Sequence, residues 1–146
     1  MNNLGLLGAG LVLGIAAVGS GFGIGTAAQA AVGAWKKCYL TNKPAPMTLL
    51  VFIGAPLTQV FYAYIMMGAI KGAASTSGNY SWLNFSFSIA SAVAIAFSAV
   101  FQGKAGACAA DALAESGKGF AQYVSAIGVI ETVALFTMVL TMQSLL

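Results

Sequence analysis

The sequence predicts an all-α membrane protein, with four transmembrane helices arranged as two tandem hairpins and assembled into a closed ring. Of its 146 residues 60% are hydrophobic and only 6% charged, and the mean hydropathy is +0.90. Such a chain has too little polar surface to solvate a domain of its size in water. Four apolar stretches, residues 4–34, 47–70, 83–114 and 120–146, each reach the ~20 residues that cross a hydrocarbon core. The first stretch repeats glycine at four-residue spacing, which lets helix backbones approach closely in lipid and suits the inner wall of a tightly packed ring.

The first stretch is longer than a secretory signal and continues into a glycine-rich run, so it is expected to be a retained helix. Gly10 and Gly14 are four apart, as are Gly19/Gly23 and Gly21/Gly25, with Ala17 on the latter stripe. The run Gly19-Ser-Gly-Phe-Gly has the look of a dinucleotide-binding loop, but no strand precedes it and it lies inside an apolar helix. In the second stretch Pro56 removes an N–H, leaving the Phe52 carbonyl without its ladder partner and making a carbonyl such as that of Ala55 available. The third stretch carries Gln102, with Gly103 and Gly106 giving it a partial likeness to the first. Lys104 lies about 200° around the helix from Gln102, so it should face away and snorkel to the interface. Asp111, Glu115 and Lys118 read as a solvated turn or, functionally, as a docking surface for a soluble partner. The fourth stretch is uncharged apart from Glu131. A charge at the bilayer centre costs at least about 2.5–3.5 kcal/mol, so it marks a group that binds or carries something.

Lysine placement sets the orientation. Lys36, Lys37 and Lys43 lie between the first two stretches and Lys104 and Lys118 flank the turn between the last two, whereas the opposite side has only Lys71 before an uncharged loop. Cytoplasmic loops carry the positive excess, so both termini should lie outside, with Tyr80 and Trp82 at the outer interface and Trp35 at the inner one. The net charge of +3 follows from this bias, and no nucleic-acid patch is visible. Cys38 and Cys108 lack metal-ligand spacing and have no histidine to help them. They are expected to be unpaired thiols.

Residues 1–72 and 73–146 read as the two hairpins, the second carrying the carboxylate. Phe22-Gly-Ile-Gly-Thr-Ala-Ala parallels Phe101-Gln-Gly-Lys-Ala-Gly-Ala, and Gly54-Ala-Pro-Leu-Thr-Gln parallels Gly128-Val-Ile-Glu-Thr-Val. The two register offsets differ by about four residues, one helical turn. In this alignment Leu57 occupies the place of Glu131, and Thr58 that of Thr132.

Polar residues interrupt the second, third and fourth helices at one depth. Gln59, Gln102 and Glu131 each lie about 18–20 Å from the lysine-bearing ends of their helices at 1.5 Å per residue. Thr58, Tyr62 and Thr132 accompany them. Alone, each would more often be hydrogen-bonded glue between helices. Convergence of three helices on the depth of a lone carboxylate points instead to a binding site. Amide oxygens, a hydroxyl, a carboxylate and a backbone carbonyl form an all-oxygen cage suited to a hard cation, and one negative charge suits a monovalent ion, sodium or a proton.

At Ala55-Pro-Leu-Thr-Gln-Val-Phe-Tyr62, Phe101-Gln-Gly-Lys104 and Gly128-Val-Ile-Glu-Thr132, the chain resembles the membrane rotor subunit of V-type ATPases, the four-helix proteolipid or K subunit, and most of all its bacterial sodium-dependent branch. The resemblance implies a non-catalytic subunit. Identical copies form a ring in the bacterial plasma membrane, which turns against a stator subunit and meets central-stalk subunits at the cytoplasmic face. It further implies Na+ bound by Glu131, Thr58, Gln59, Gln102 and the Ala55 carbonyl, with Tyr62 hydrogen-bonded to Glu131 and Pro56 supporting. The related pattern Leu-Pro-Gly-Thr-Gln has glycine where this chain has Leu57, which would add bulk beside the site. One carboxylate for four helices favours ATP-driven pumping over synthesis. A rotor of the same fold carrying only H+, a non-transporting tetraspan proteolipid and a small-molecule exporter are the competing readings.

Overall fold

The computed structural model describes residues 3–76 and 81–145, which contain helices and no strands. The elements are α1 (Asn3–Leu40), α2 (Leu49–Gly54), a 3-10 turn (Ala55–Leu57), α3 (Thr58–Thr76), α4 (Ser81–Ser116) and α5 (Phe120–Ser144). They make four spans long and apolar enough to cross a membrane, Leu4–Leu40, Leu49–Ser75, Trp82–Ser116 and Phe120–Ser144. The chain is an integral, multi-pass membrane protein. Tyr80, expected at the outer interface, lies outside the described residues; Trp82, expected there too, stands at the start of α4 and is 61% exposed.

Each of the four apolar stretches became a helix, but α1 and α4 run on past the apolar boundary. At 38 residues α1 is about 57 Å long, far more than the ~30 Å hydrocarbon core. It therefore carries Lys36 and Lys37 on helix, and α4 does the same for Asp111 and Glu115. The two carboxylates were expected in a turn. They occupy the last turns of α4 instead, and the exposed Glu115 pairs with Lys37 on α1. The turn itself is short, with Gly117 at φ 66° and Gly119 at φ 88° in the left-handed region that glycine enters without cost. On the other connection, Trp35 donates its indole N–H to the Pro46 carbonyl at 2.8 Å and pins the chain between α1 and α2.

The α1 helix packs more extensively against α4, from the other hairpin, than against its own partner α3. The two run parallel, and the reason they can is glycine. A methyl at Gly19 would collide with the backbone of Ala96, one at Gly23 with that of Ala99, and one at Gly103 with that of Gly23. The glycine pattern of α1 thus divides in two. Gly5, Gly8, Gly19 and Gly23 face neighbours within the chain, whereas a methyl added at Gly10, Gly14, Gly21 or Gly25 would meet nothing within 4 Å. This second stripe, with exposed Ala17 on it, lies on the opposite side of the helix and is left open.

Two apolar clusters fill the bundle. One contains Ala9, Val12, Ala16, Ala63, Met66, Ile70, Ala92, Ile95 and Ala134. The other, nearer the lysine-bearing end, contains Ala31, Ala34, Leu49, Phe52, Ala109, Ala110, Leu113 and Ile127. A polar layer separates them. The α5 helix buries least of the four spans, 17% of its apolar stretch against 39% for the first and third, so the carboxylate sits on the most peripheral helix.

Candidate functional site

Pro56 shapes the second span at the level of the layer. It ends α2 at Gly54 and converts Ala55–Leu57 to a 3-10 turn before α3 resumes. The Phe52 carbonyl, one turn before Pro56, lies against Gly106, where a methyl would come within 2.8 Å of its oxygen. The Ala55 carbonyl accepts both the backbone N–H of Thr58 and its hydroxyl at 3.0 Å. The turn sends Leu57 outward, 47% exposed. Its bulk therefore does not press on the site, and the first hairpin's counterpart of Glu131 is a peripheral apolar side chain.

From the next turn Gln59 and Tyr62 reach inward. Gln59 and Gln102 are both fully buried, and Gln59 Nε2 donates to Gln102 Oε1 at 2.7 Å. The Thr58 hydroxyl lies 3.2 Å from Gln59 Oε1. Gln102 Nε2 donates to Glu131 Oε2 at 3.3 Å and to the Ile127 carbonyl, also at 3.3 Å. Tyr62 donates its hydroxyl to Glu131 Oε1 at 2.5 Å. The half-buried carboxylate thus has a donor on each oxygen. Its demand for donors orients Gln102 with nitrogen toward it, and the Gln102 oxygen in turn orients Gln59. The structure brings Gln59, Gln102 and Glu131 together, as their matching depths predict, with Tyr62 on the carboxylate and Thr58, bonded to the Ala55 carbonyl, beside Gln59. Thr132 stays out. It is exposed and returns its hydroxyl to the Val129 carbonyl at 2.7 Å on its own helix.

Sequence reasoning missed Ser98. One turn before Gln102 on the same face, it donates to the Ile130 carbonyl at 3.0 Å and ties α4 to α5 beside the carboxylate. Its spacing from Gln102 was the available signal. Lys104 faces away from the layer, exposed, with its Nζ 5.1 Å above the Phe101 ring. Cys38 and Cys108 are both free. Among the described residues no cluster of three His, Cys, Asp or Glu side chains forms, so any cation held here would be coordinated by one carboxylate and neutral oxygens.

Such a layer has two chemical capacities. Buried amides and hydroxyls around one carboxylate keep it hydrogen-bonded where water is scarce, and their oxygens can turn to a small cation that neutralises it. A cavity of about 200 Å³ opens beside Glu131 between α2 and α5, lined also by Val51, Phe52, Ala55, Val124, Ile127 and Gly128. It extends from the carboxylate toward the lysine-bearing end.

Residues 85–143 match the family model of the ATP synthase C subunit. The matched segment is the α4–α5 hairpin, and it contains Ser98, Gln102 and Glu131. No curated protein matches the chain.

Proposed function

We propose that this chain is the rotor-ring subunit of a V-type ion-translocating ATPase and carries Na+ across the membrane on Glu131. The observation that carries this reading is the convergence of Gln59, Gln102 and Tyr62 on one carboxylate between two dry apolar clusters. The match of the hairpin bearing that carboxylate to the ATP synthase C subunit supports it. The open stripe of Gly10, Gly14, Ala17, Gly21 and Gly25 supports assembly, because it offers a neighbouring copy the close backbone approach that Gly19 and Gly23 already give α4.

The mechanism is electrostatic. Empty, Glu131 is an anion that cannot cheaply face lipid, whereas with one monovalent cation the site is neutral and can turn through the bilayer. A cationic group on a membrane stator attracts the empty carboxylate and displaces the ion; this chain supplies no arginine for that role. One charge moved through 100 mV is worth ~2.3 kcal/mol, so several ions accompany each turn and ATP hydrolysis on soluble subunits drives it. The lysine-bearing end faces the cytoplasm and the central stalk, with both termini outside.

Sodium is preferred to the proton because Thr58, Gln59, Gln102 and the Ala55 carbonyl supply more oxygens than a protonated acid can use, enough to coordinate a small cation beside the carboxylate. Sodium should protect Glu131 from a carbodiimide that attacks the protonated acid, and Gln102→Ala should raise the sodium needed by roughly tenfold or more, the loss of one charge-assisted contact. Labelling that ignores sodium would identify a proton rotor of the same fold. Native mass spectrometry in mild detergent should give one large oligomer; monomers and dimers alone would sink the ring and favour a structural tetraspan protein.

A further inference from the structure

The α5 helix brings the carboxylate to the site, yet it is the span that packing holds least, with 17% of its apolar stretch buried. Polar ties help fix its rotation. Two side chains of α4, four residues apart and so on one face, donate to two α5 carbonyls three residues apart. Gln102 Nε2 donates to that of Ile127 at 3.3 Å and Ser98 Oγ to that of Ile130 at 3.0 Å. The second carbonyl belongs to the peptide bond that joins Ile130 to Glu131.

Ser98 is unlike the other serines of its helix. Ser86, Ser88 and Ser91 each return the hydroxyl to the carbonyl four residues earlier, whereas Ser98, only 5% exposed, reaches across to another helix. A hydroxyl so buried needs an acceptor, and the one it meets is the backbone that carries Glu131.

The two ties differ in what ion binding does to them. Gln102 Nε2 also donates to Glu131 Oε2, so its tie belongs to the site with the carboxylate free. A cation beside Glu131 repels that N–H, and Gln102 can coordinate only through its oxygen. The amide must then turn over, which takes its nitrogen away from the Ile127 carbonyl as well. Ser98 bonds to backbone rather than to the carboxylate or either amide, so loading leaves its tie in place. We propose that Ser98 is a positioning residue for the bound ion. Its bond to the Ile130 carbonyl holds Glu131 at a set distance from Gln102 and Gln59 once Gln102 has let go of α5. It thereby sets the width of the oxygen cage, on which the preference for sodium over the larger potassium depends. The inference rests on the sodium reading above and adds to it a residue that never touches the ion.

The test measures, on the intact detergent-solubilised oligomer at one pH, the concentrations of Na+ and of K+ that half-protect Glu131 from dicyclohexylcarbodiimide. Ser98→Ala should need about fivefold more sodium, the worth of one ordinary hydrogen bond. Potassium should lose less, because a loosened cage admits the larger ion, so the ratio of the two concentrations narrows. The labelling rate in buffer free of both ions should match the parent, since Gln102 still holds the Ile127 carbonyl there. Ser98→Cys keeps the volume and a weak donor, should fall between alanine and the parent, and carries the comparison if the alanine variant does not assemble. An unchanged sodium requirement, beside clear protection of the parent, overturns this inference alone. So does equal weakening of both ions, or an ion-free rate shifted by the same factor, either of which means a tie that supports the fold and not the cage. Absence of sodium protection in the parent protein overturns the sodium reading itself and this inference with it.

Discussion

Glu131→Gln is expected to abolish ion transport by the reconstituted ATPase while leaving the assembled oligomer intact. Glutamine has nearly the same shape, and its amide can still meet Tyr62, which donates to Glu131 Oε1 at 2.5 Å, and share the layer with Gln102. What it loses is the charge. A cation held among neutral oxygens would carry its full charge into the bilayer, at about 2.5–3.5 kcal/mol or more, which alone lowers occupancy by roughly a hundredfold or beyond. No empty anion would remain for a stator cation to attract either. Glu131→Asp keeps the charge but withdraws the carboxylate by one methylene from both donors, so partial transport at weakened sodium affinity is expected. The measurement is sodium uptake into proteoliposomes driven by ATP, with oligomer mass as the control for assembly. Transport by the glutamine variant at the parent rate would remove Glu131 from the mechanism.

The second large effect concerns the seam between α1 and α4. Gly103→Ala places a methyl onto the Gly23 backbone, which cannot rotate away as a side chain can. The helices must separate. Overpacking of a well-fitted core typically costs about 1–3 kcal/mol, and a backbone-on-backbone clash belongs at the upper end of that range or above it. Gln102 is the adjacent residue, so separation also pulls its amide from Gln59 and Glu131. Gly21→Ala is the matched control, because a methyl there meets nothing within 4 Å in the single chain. Thermal unfolding followed by circular dichroism should show Gly103→Ala strongly destabilised even as a monomer. Gly21→Ala should melt like the parent as a monomer and differ only in the oligomer. Equal melting of the two variants would mean that the seam is not held by this close approach.

The contrast between these two glycines shows where sequence reading stops. The spans were legible because hydropathy is a property of consecutive residues, and a helix of known rise converts residue number to depth. That conversion placed Gln59, Gln102 and Glu131 in one layer, and the structure unites them there through contacts of 2.7 and 3.3 Å. Helix ends were less legible. Lys36, Lys37, Asp111 and Glu115 looked like loop or turn, yet α1 and α4 continue through them, packed on each other, with Lys37 paired to Glu115 at the surface.

By itself the sequence determined four apolar spans, a lone carboxylate at mid-depth and the polar residues that share its level, because composition, period and rise are local quantities. Only the tertiary structure decided which way each side chain faces. It turned Leu57 outward and gave Glu131 its partners, divided the α1 glycines between an inner seam and an open stripe, and set the nitrogen of Gln102 toward the carboxylate. Those outcomes depend on rotation and register between helices distant in the chain, which are set by how backbones fit together where two glycines allow contact.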